Sequence, residues 1–314
     1  MYSFIIPLYN RPDEIDELLY SLTKQNYAKS FEVVVVEDGS ENNATKIVDS
    51  YNDRLNIQYF LTENQGAGMA RNYGMSQAKG DYFIVLDSDV LVPANYLKSV
   101  DKALKANYTD AFGGPDAAHP SFTPLQKAIN FSMTSLLTTG GIRGKKKAVG
   151  KFQPRSFNLG ISKKAFQTTR GFSAMKIGED IDLSFRLWNN GFETQLISEA
   201  YVYHKRRNTI DSFFIQTYKF GQARPVLNQK YPGTAKLTYW FPSLFIIGFL
   251  WASVFFLFGS WELITLYYFY FILLFMTSLV VNKNITVAFL SIITTLVQMA
   301  GYGLGFLKSQ FLKS

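Results

Sequence analysis

Three long segments without a charged residue follow one another at the C-terminal end of the chain, at 237–261, 263–282 and 284–307. Each is close to or above the ~20 residues with which a helix crosses a bilayer. Their apolar side chains occur on every face of a helix, which favours lipid contact over burial in a soluble core. The sequence therefore predicts a membrane region at 236–314 with two to three transmembrane helices, at about 240–258, 263–281 and 285–307.

The third segment is the least typical of the three. It contains Gln298 and the glycines Gly301, Gly303 and Gly305. Small residues let helices approach closely within a membrane. This segment is therefore either re-entrant or packed on its neighbours through the glycines.

The chain before the membrane region alternates between strand-like and helix-like patterns. Strands are predicted at 2–8, 31–36, 57–61 and 82–86, with helices at 14–25, at 45–51 and up to residue 78. The strands are apolar on both faces, as strands covered on both sides of a sheet are. This alternation predicts an α/β domain over residues 1–235, with a mostly parallel sheet and helices on both faces.

Composition limits the kinds of partner and site. The net charge of +8 indicates an anionic partner, such as a membrane surface, a phosphorylated substrate or nucleic acid. The absence of cysteine excludes disulfides and thiolate metal sites, and two histidines argue against a His-rich zinc site. The N-terminal residues lack the pattern of a signal peptide, so we expect this part of the protein to stay in the cytoplasm.

Acidic residues stand where two predicted strands end. Asp87-Ser88-Asp89 follows the strand at 82–86, and Glu37-Asp38 follows the strand at 31–36. Ligands bind at the carboxyl ends of strands in open α/β sheets, and two carboxylates there can hold a divalent cation with a diphosphate. A solvated Asp-Ser-Asp turn is the alternative interpretation.

Two further segments combine glycine or acid with a helix start. Gly66-x-Gly68-x-x-Arg71 nearly spells a dinucleotide fingerprint, but arginine stands where that motif needs glycine or alanine. It still suits an approaching phosphate, although a plain flexible turn is also possible. Glu179, Asp180 and Asp182 open another helix, where complementing the helix dipole is a sufficient structural reason for acids.

Basic residues form a third kind of pattern. Arg143-Gly144-Lys145-Lys146-Lys147 is either a solvated loop or a gate that closes on a phosphorylated ligand or touches anionic lipid. The segment 213–223 is aromatic, basic and amphipathic, which suits a helix lying in the membrane interface.

Taken in order, these motifs resemble the family 2 glycosyltransferases, inverting enzymes of the GT-A fold. The resemblance covers roughly residues 2–224. The matching motifs are Pro7-x-Tyr9-Asn10, Glu37-Asp38-Gly39-Ser40, the glycine-rich segment from Gly66 to Asn72, Asp87-Ser88-Asp89 and Glu179-Asp180.

The resemblance implies a role for each matching residue. Asp180 is the expected catalytic base and Glu179 its supporting acid. Asp87 and Asp89, with His204, are the expected ligands of Mg²⁺ or Mn²⁺. The nucleotide sugar is expected to contact Pro7, Tyr9, Asn10, Glu37, Asp38, Gly66, Gly68, Arg71, Asp87 and Ser88. Asn158, Gly160, Gln216 and Lys219 are assigned to the acceptor or a gate.

One motif departs from the pattern of the processive membrane synthases in this family. Gln216-Thr217-Tyr218-Lys219-Phe220 lacks both the arginine and the tryptophan of their Gln-x-x-Arg-Trp motif. This departure favours the addition of one sugar over polymer synthesis.

The expected activity is therefore metal-dependent transfer, with inversion, from a nucleotide-diphosphate sugar to a hydroxyl of a lipid-linked or membrane-adjacent glycan, as in cell-surface polysaccharide synthesis. A nucleic acid partner is not expected, and the sequence does not indicate an oligomeric state. A polyprenyl-phosphate glycosyltransferase is the alternative within the fold, although its anionic acceptor would need no base. An inactive nucleotide-binding module anchored to the membrane is the alternative from another class.

The distribution of basic residues predicts the orientation. Seven of them precede the first apolar segment from Lys205 to Lys236, whereas the turn at Gly259-Ser260 has none, which favours a multi-pass protein of the inner membrane with a cytoplasmic catalytic domain. Lys283 fits this orientation. Lys308 and Lys313 do not if the third segment fully spans, so the side of the C-terminus stays open.

Overall fold

A computed structural model describes residues 1–140 and 151–312. The basic segment Arg143–Lys147 therefore lies outside the described residues. The strands are β1 (Tyr2–Leu8), β2 (Phe31–Asp38), β3 (Ile57–Thr62), β4 (Tyr82–Leu86), β5 (Val90–Leu91), β6 (Ala111–Gly113), β7 (Asp116–Ala117), β8 (Asn158–Ser162), β9 (Thr194–Leu196) and β10 (Val202–His204). The helices are α1 (Pro12–Leu22), α2 (Thr45–Asp49), α3 (Ala67–Gln77), α4 (Tyr96–Ala106), α5 (Pro124–Thr134), α6 (Leu136–Thr139), α7 (Lys163–Thr169), α8 (Glu179–Asn189), α9 (Ile210–Lys230), α10 (Phe241–Leu257), α11 (Glu262–Asn282) and α12 (Ile285–Phe311), with a 3₁₀ turn at Leu237–Trp240.

The first of two compact units consists of Met1–Ala117 and Lys145–His204. Its main sheet has the strand order β3-β2-β1-β4-β8-β6-β9. The strands β3, β2, β1 and β4 are parallel, whereas β8 pairs antiparallel with both β4 and β6. The predicted α/β class with a mainly parallel sheet is confirmed.

The main sheet is apolar on both faces because helices cover both sides. Along β1, Phe4 and Ile6 belong to one buried cluster, and Ile5 between them belongs to the other. Gly74 in α3 allows that helix to lie directly on the sheet, since a Cβ there would come within 2.8 Å of Ile5 Cγ2. This packing fixes α3, and with it Arg71, close to the carboxyl ends of β1 and β2.

A smaller sheet is formed by the short strands β5, β7 and β10, which follow β4, β6 and β9 in the sequence. Its order is β5-β10-β7. His204 pairs with Val90 across β10 and β5, and Val202 pairs with Asp116 across β10 and β7. This register brings the end of β10 beside the Asp87–Asp89 turn, although the three short strands are far apart in the sequence.

The second unit consists of Ala118–Gly144 and Lys205–Ser314. It combines α5, α6 and α9 with α10, α11 and α12, so its boundary does not follow the predicted domain limit at 235/236. Ser132 of α5 contacts Thr294 of α12 through a 2.6 Å hydroxyl–hydroxyl hydrogen bond. Helix α5, which precedes residue 235, therefore packs with the apolar helix α12 that follows it.

Three segments of the second unit are long and apolar enough to cross a membrane: Leu237–Leu257, Glu262–Asn282 and Ile285–Phe311. They match the predicted segments to within a few residues. The glycines of α12 pack against neighbouring helices, since a Cβ at Gly301 would overlap Thr217 of α9, and one at Gly305 would overlap the carbonyl oxygen of Tyr218. Packing through small residues, one of the two predicted possibilities for this segment, is confirmed.

Candidate active site

Two carboxylates and one imidazole converge at the carboxyl end of β4. One ligand atom each from Asp87, Asp89 and His204 lies within 4.8 Å of the others, in partly buried surroundings. Carboxylate oxygens and an imidazole nitrogen form a donor set that Mn²⁺ or Mg²⁺ accepts, with open positions for phosphate oxygens. The residues present therefore fit a divalent cation.

The imidazole of His204 is held from two sides. Its ring stacks on Phe157 with centroids 4.8 Å apart. Its Nε2 lies 3.2 Å from Asp89 Oδ1, and its Nδ1 lies 3.9 Å from Oδ2 of the buried Asp116. A carboxylate behind a histidine fixes the orientation of the ring and the basicity of the opposite nitrogen.

Asp89 lies between two basic groups. Arg11 donates a 2.6 Å hydrogen bond to Asp89 Oδ2 on the side away from His204. Burial alone would raise the pKa of Asp89, but His204 and Arg11 outweigh it and hold the pKa well below its ordinary range. Asp89 is therefore a carboxylate at physiological pH, as a cation ligand must be.

Arg71 connects this cluster with the acids at the start of α8. Its side chain is only 5% exposed, and it bonds Asp87 Oδ1 at 2.6 Å and Glu179 Oε1 at 3.1 Å. Burial would lower the pKa of Arg71, but the two carboxylates outweigh this effect and raise it. The buried guanidinium of Arg71 thus compensates one carboxylate of the cluster at β4, Asp87, and one acid at the start of α8, Glu179.

The predicted catalytic acids have different surroundings. Burial first, and then the neighbouring Asp180 carboxylate, raise the pKa of Glu179 above its ordinary value, against the opposing charge of Arg71. Asp180 Oδ2 lies 3.5 Å from Arg155 Nη1, and its side chain is 14% exposed. Asp180 is therefore a partly buried carboxylate beside a cation.

Asp182 has a structural environment instead. Its side chain is fully buried and bonds Arg186 Nε at 2.9 Å. Arg186 also donates to the carbonyl oxygens of Thr169 and Gly171. Asp182 therefore ties α8 to the loop after α7.

The residues predicted to contact the nucleotide lie in loops that bond one another at the ends of β1, β2 and β3. Asn10, at φ 52°, donates its N–H to Ser40 Oγ at 2.7 Å and accepts from Asn42 N–H at 3.1 Å. Asp38 accepts two 2.9 Å bonds from the backbone N–H groups of Gln65 and Gly66. These bonds hold together the loops assigned to the nucleotide.

The other members of that set divide between core and surface. Glu37 is buried and accepts bonds from Ser40, from Ala44 N–H at 3.0 Å and from the Tyr59 hydroxyl at 2.8 Å, so it shapes its own loop. Pro7 and Ser88 are buried, Tyr9 is 50% exposed, and Gly66 and Gly68 begin α3. Their assignment to the nucleotide stays a prediction.

The residues assigned to the acceptor or a gate do not lie together in one unit. Asn158 is fully buried in β8, accepting from the Tyr96 hydroxyl at 2.6 Å and donating to Ala200 O at 2.8 Å. A Cβ at Gly160 would overlap the ring of Phe112. Packing accounts for both residues, while Gln216 and Lys219 lie on α9 of the second unit. The role of these four residues at the acceptor stays a prediction.

Sequence reasoning missed three partners of the site. Arg11 pairs with Asp89, Arg155 with Asp180, and Asp116 stands behind His204. Arg11 adjoins the Pro7-x-Tyr9-Asn10 motif, a position that could have drawn attention to it. Arg155 and Asp116 belong to no motif, and only the folded chain brings them to the site.

Comparison with known sequences places the chain in a family. Residues 3–170, more than half of the chain, match the family described as "Glycosyl transferase family 2". The protein is a family 2 glycosyltransferase. It is therefore a sugar-transferring enzyme, and the alternative of an inactive nucleotide-binding module is set aside.

Named relatives of this glycosyltransferase share part of its length. Over 112 residues it is 37% identical to the poly(ribitol-phosphate) beta-N-acetylglucosaminyltransferase TarS of Staphylococcus aureus, and this alignment covers 35% of this chain and 20% of TarS. It is 40% identical over 103 residues to validoxylamine A glucosyltransferase of Streptomyces hygroscopicus, covering 32% of this chain and 24% of that protein. The chain thus spans about a fifth to a quarter of the length of these two relatives.

Solved structures support the GT-A fold. The TarS structure with UDP-GlcNAc aligns with a TM-score of 0.51 and 24% identity, covering 70% of this glycosyltransferase and 65% of that chain. A mannosyltransferase of Pyrobaculum calidifontis in complex with GDP-Man and Mn²⁺ aligns with a TM-score of 0.64 and 16% identity. That alignment covers 100% of this chain and 88% of the mannosyltransferase, so it includes the C-terminal helices.

Proposed function

We propose that this family 2 glycosyltransferase moves one sugar, with inversion, from a nucleotide-diphosphate donor to a hydroxyl of a lipid-linked or membrane-adjacent glycan. The observation that carries the proposal is the Asp87–Asp89–His204 cluster, joined through Arg71 to Glu179 at the start of α8. The nucleotide sugars and Mn²⁺ in the similar structures support the donor class and the metal.

On this proposal, Asp87, Asp89 and His204 hold Mg²⁺ or Mn²⁺, which would stabilise the charge that develops on the departing diphosphate. Asp180 accepts the proton of the acceptor hydroxyl, which is a poor nucleophile until a base takes it. Arg71 keeps Asp87 and Glu179 in place. A single base without a protein nucleophile gives one displacement and therefore inversion at the anomeric carbon.

A phosphate acceptor is the second candidate, because of one specific contact. Arg155 lies 3.5 Å from Asp180 Oδ2, where a guanidinium suits a phosphate as well as a carboxylate. An anionic acceptor would need no base, so Asp180 would then be dispensable for proton transfer. The hydroxyl remains our preferred acceptor because Asp180 directly follows Glu179, which Arg71 joins to Asp87.

Purified protein incubated with a panel of UDP- and GDP-sugars tests the proposal. We expect donor hydrolysis or transfer that depends on Mn²⁺ or Mg²⁺ and is lost in excess EDTA and in Asp89→Ala. Full activity in excess EDTA would show that the cluster does not bind an essential cation. Hydrolysis that needs the metal but ends in retention of configuration would contradict the single displacement.

The membrane placement belongs to the same proposal. The basic residues from Lys205 to Lys236 favour an inner-membrane protein whose catalytic unit faces the cytoplasm. A cysteine placed in the catalytic unit should react with an impermeant maleimide only after the cells are opened. Labelling of that cysteine in intact cells would reverse the orientation.

A further inference from the structure

We propose that α12 does not cross the bilayer. It lies in the membrane plane across the base of the α10–α11 hairpin and turns an apolar face toward the lipid acyl chains. The described residues then cross the membrane twice, through α10 and α11, and the end of α12 lies on the side of α9. This inference depends on the packing within the second unit and not on the identity of donor or acceptor.

The hairpin supplies the reference axis. The ring of Tyr267 packs on Phe245 and Phe249 with centroids 5.1 and 5.2 Å away, and Trp261 packs on Phe256 at 4.6 Å. In each contacting pair the two residue numbers add to between 512 and 517, as they do in two antiparallel helices joined by a short turn. Residue 243 of α10 therefore lies at about the height of residue 273 of α11.

Two hydrogen bonds join α12 to the base of this hairpin, which is the end formed by the start of α10 and the second half of α11. Ser291 meets Ser278 of α11 through a 2.7 Å hydroxyl pair, and Gly303 accepts a 3.1 Å hydrogen bond from Ser243 of α10. Residues 291 and 303 are ~18 Å apart along α12, but their partners differ in height by only about five residues, or ~7.5 Å along the hairpin. Most of the length of α12 therefore runs across the hairpin rather than along it.

The position of α9 gives a second, independent reason. Thr217 faces Gly301 and Tyr218 faces Gly305, so residue i of α9 lies near residue i+84 to i+87 of α12 and the two helices run side by side. Lys219 and Arg224 of α9 consequently accompany the C-terminal half of α12. If α12 crossed the bilayer, α9 would cross beside it and Lys219 would enter the hydrocarbon, where ionised side chains are costly.

The exposed side of α12 indicates what covers it. Its apolar residues Ile285, Phe289, Ile293, Leu304 and Phe311 are 48–70% exposed. At 100° per residue they fall within an arc of about 100°, along the full length of the helix. Ser291, Thr294, Thr295 and Gln298 are buried on the other side. An apolar face with one orientation along the helix suits insertion into the membrane interface.

Charge at the ends of α12 agrees with this placement. Lys283 and Lys308 flank the helix, and both are exposed. In the membrane plane, both lysines reach anionic headgroups on one side of the bilayer. The conflict between Lys308 and a third membrane span then disappears, because there is no third span.

Single cysteines in this cysteine-free chain test the number of crossings. With an impermeant maleimide, we expect Lys308→Cys to behave like Asn208→Cys, which precedes α9, both in intact and in opened cells, and Ser260→Cys in the hairpin turn to give the opposite result in intact cells. All three positions lie outside the packed helix faces. Reaction of Lys308→Cys from the side of Ser260→Cys would overturn the proposal.

Depth measurements test the orientation of α12 directly. Nitroxides at Ile293→Cys and Leu304→Cys, in full-length protein in vesicles of phosphatidylcholine and phosphatidylglycerol, should report shallow depths that differ by no more than ~7 Å, although they are ~16 Å apart along the helix. Nitroxides at Leu266→Cys and Val280→Cys on α11 are the matched control, and we expect their depths to differ by up to ~21 Å. A depth difference close to the full ~16 Å between the two α12 positions, or two labels in water, would contradict the proposal.

Discussion

Three acids within four residues at the start of α8 have three different environments. Glu179 bonds the buried Arg71, Asp180 lies beside Arg155, and Asp182 is fully buried against Arg186. A helix dipole favours acids at all three positions alike. Only the tertiary partners distinguish them: Asp182 is a fully buried structural residue, whereas Asp180 lies partly exposed beside Arg155 and stays the proposed base.

Asp180→Asn should separate catalysis from stability. The amide keeps the size of the carboxylate but cannot accept a proton, so transfer to a hydroxyl should fall by at least ~100-fold. Nucleotide binding and the melting temperature should stay close to those of the wild type. Transfer rates with saturating donor, together with thermal unfolding, check this. Unchanged transfer would place the base elsewhere or favour the phosphate acceptor.

Asp182→Asn is the matched control on the same helix. Losing this buried carboxylate leaves Arg186 with an incomplete set of acceptors, and we expect a loss of ~3 kcal/mol in the free energy of unfolding. Chemical denaturation in detergent measures it. If Asp182→Asn remained as stable as the wild type and lost transfer instead, the roles of the two aspartates would have to be exchanged.

Arg71→Met should destabilise the site from inside. Asp87 and Glu179 would keep their negative charges without the guanidinium that compensates them. Because both are partly exposed, we expect a loss of about 3 kcal/mol in the free energy of unfolding, the low end for a broken buried pair. Arg71→Lys restores the charge, but one ammonium lacks the planar fork that bonds two carboxylates. It should recover stability while transfer stays impaired. Equal transfer by Arg71→Lys and the wild type would contradict the bridging role.

At the scale of elements, the sequence was most informative where a local pattern is strong, as in the apolar strands of the main sheet. β1 to β4 have short apolar runs that end in turn residues, and Asp87, Asp89 and His204 converge as predicted because β5 and β10 pair. The partners Arg11, Arg155 and Asp116 were not predictable, since no local pattern records which charges meet after folding. The prediction for α9 was also incomplete, because an amphipathic pattern shows that one face of a helix is covered but does not show that α12 covers it.

Gly305→Ala tests the close contact between α9 and α12. A Cβ there would overlap the Tyr218 carbonyl oxygen, so the helices must separate, at a cost of ~1–3 kcal/mol typical of overpacking. Leu304→Ala is the neighbouring control on the exposed face and should change stability in detergent far less. Melting temperatures of both variants in one detergent decide the matter. A larger loss in Leu304→Ala would mean that the packed face is assigned wrongly.

At the scale of the whole molecule, the compact units do not follow the order of the chain. The segment Ala118–Gly144 leaves the first unit, joins the C-terminal helices, and is followed by a return to the first unit. Ser132 of α5 and Thr217 of α9 are both buried in the second unit. The polar and apolar halves of the sequence therefore do not correspond to two independently folding parts.

A chain that ends at Lys236 should consequently not behave as a soluble enzyme. It retains α5 and α9 but lacks α12, so the faces around Ile129, Phe213 and Gly221 would be uncovered. We expect aggregation, or a melting temperature below that of the full chain in detergent. Size-exclusion chromatography and thermal unfolding measure both. A monodisperse protein that melts like the full chain would show that residues 1–236 fold on their own.

Arg71 has a consequence for the order of events in a catalytic cycle. Its one positive charge is divided between Asp87, a candidate cation ligand, and Glu179, which adjoins the proposed base Asp180. A divalent cation bound to Asp87 would leave more of the positive charge of Arg71 to compensate Glu179. By thermodynamic reciprocity, any group that neutralises Glu179 would then change the affinity for that cation by the same factor. On the proposed assignment, donor and acceptor would share one counter-charge, so the binding of either substrate would change the affinity for the other.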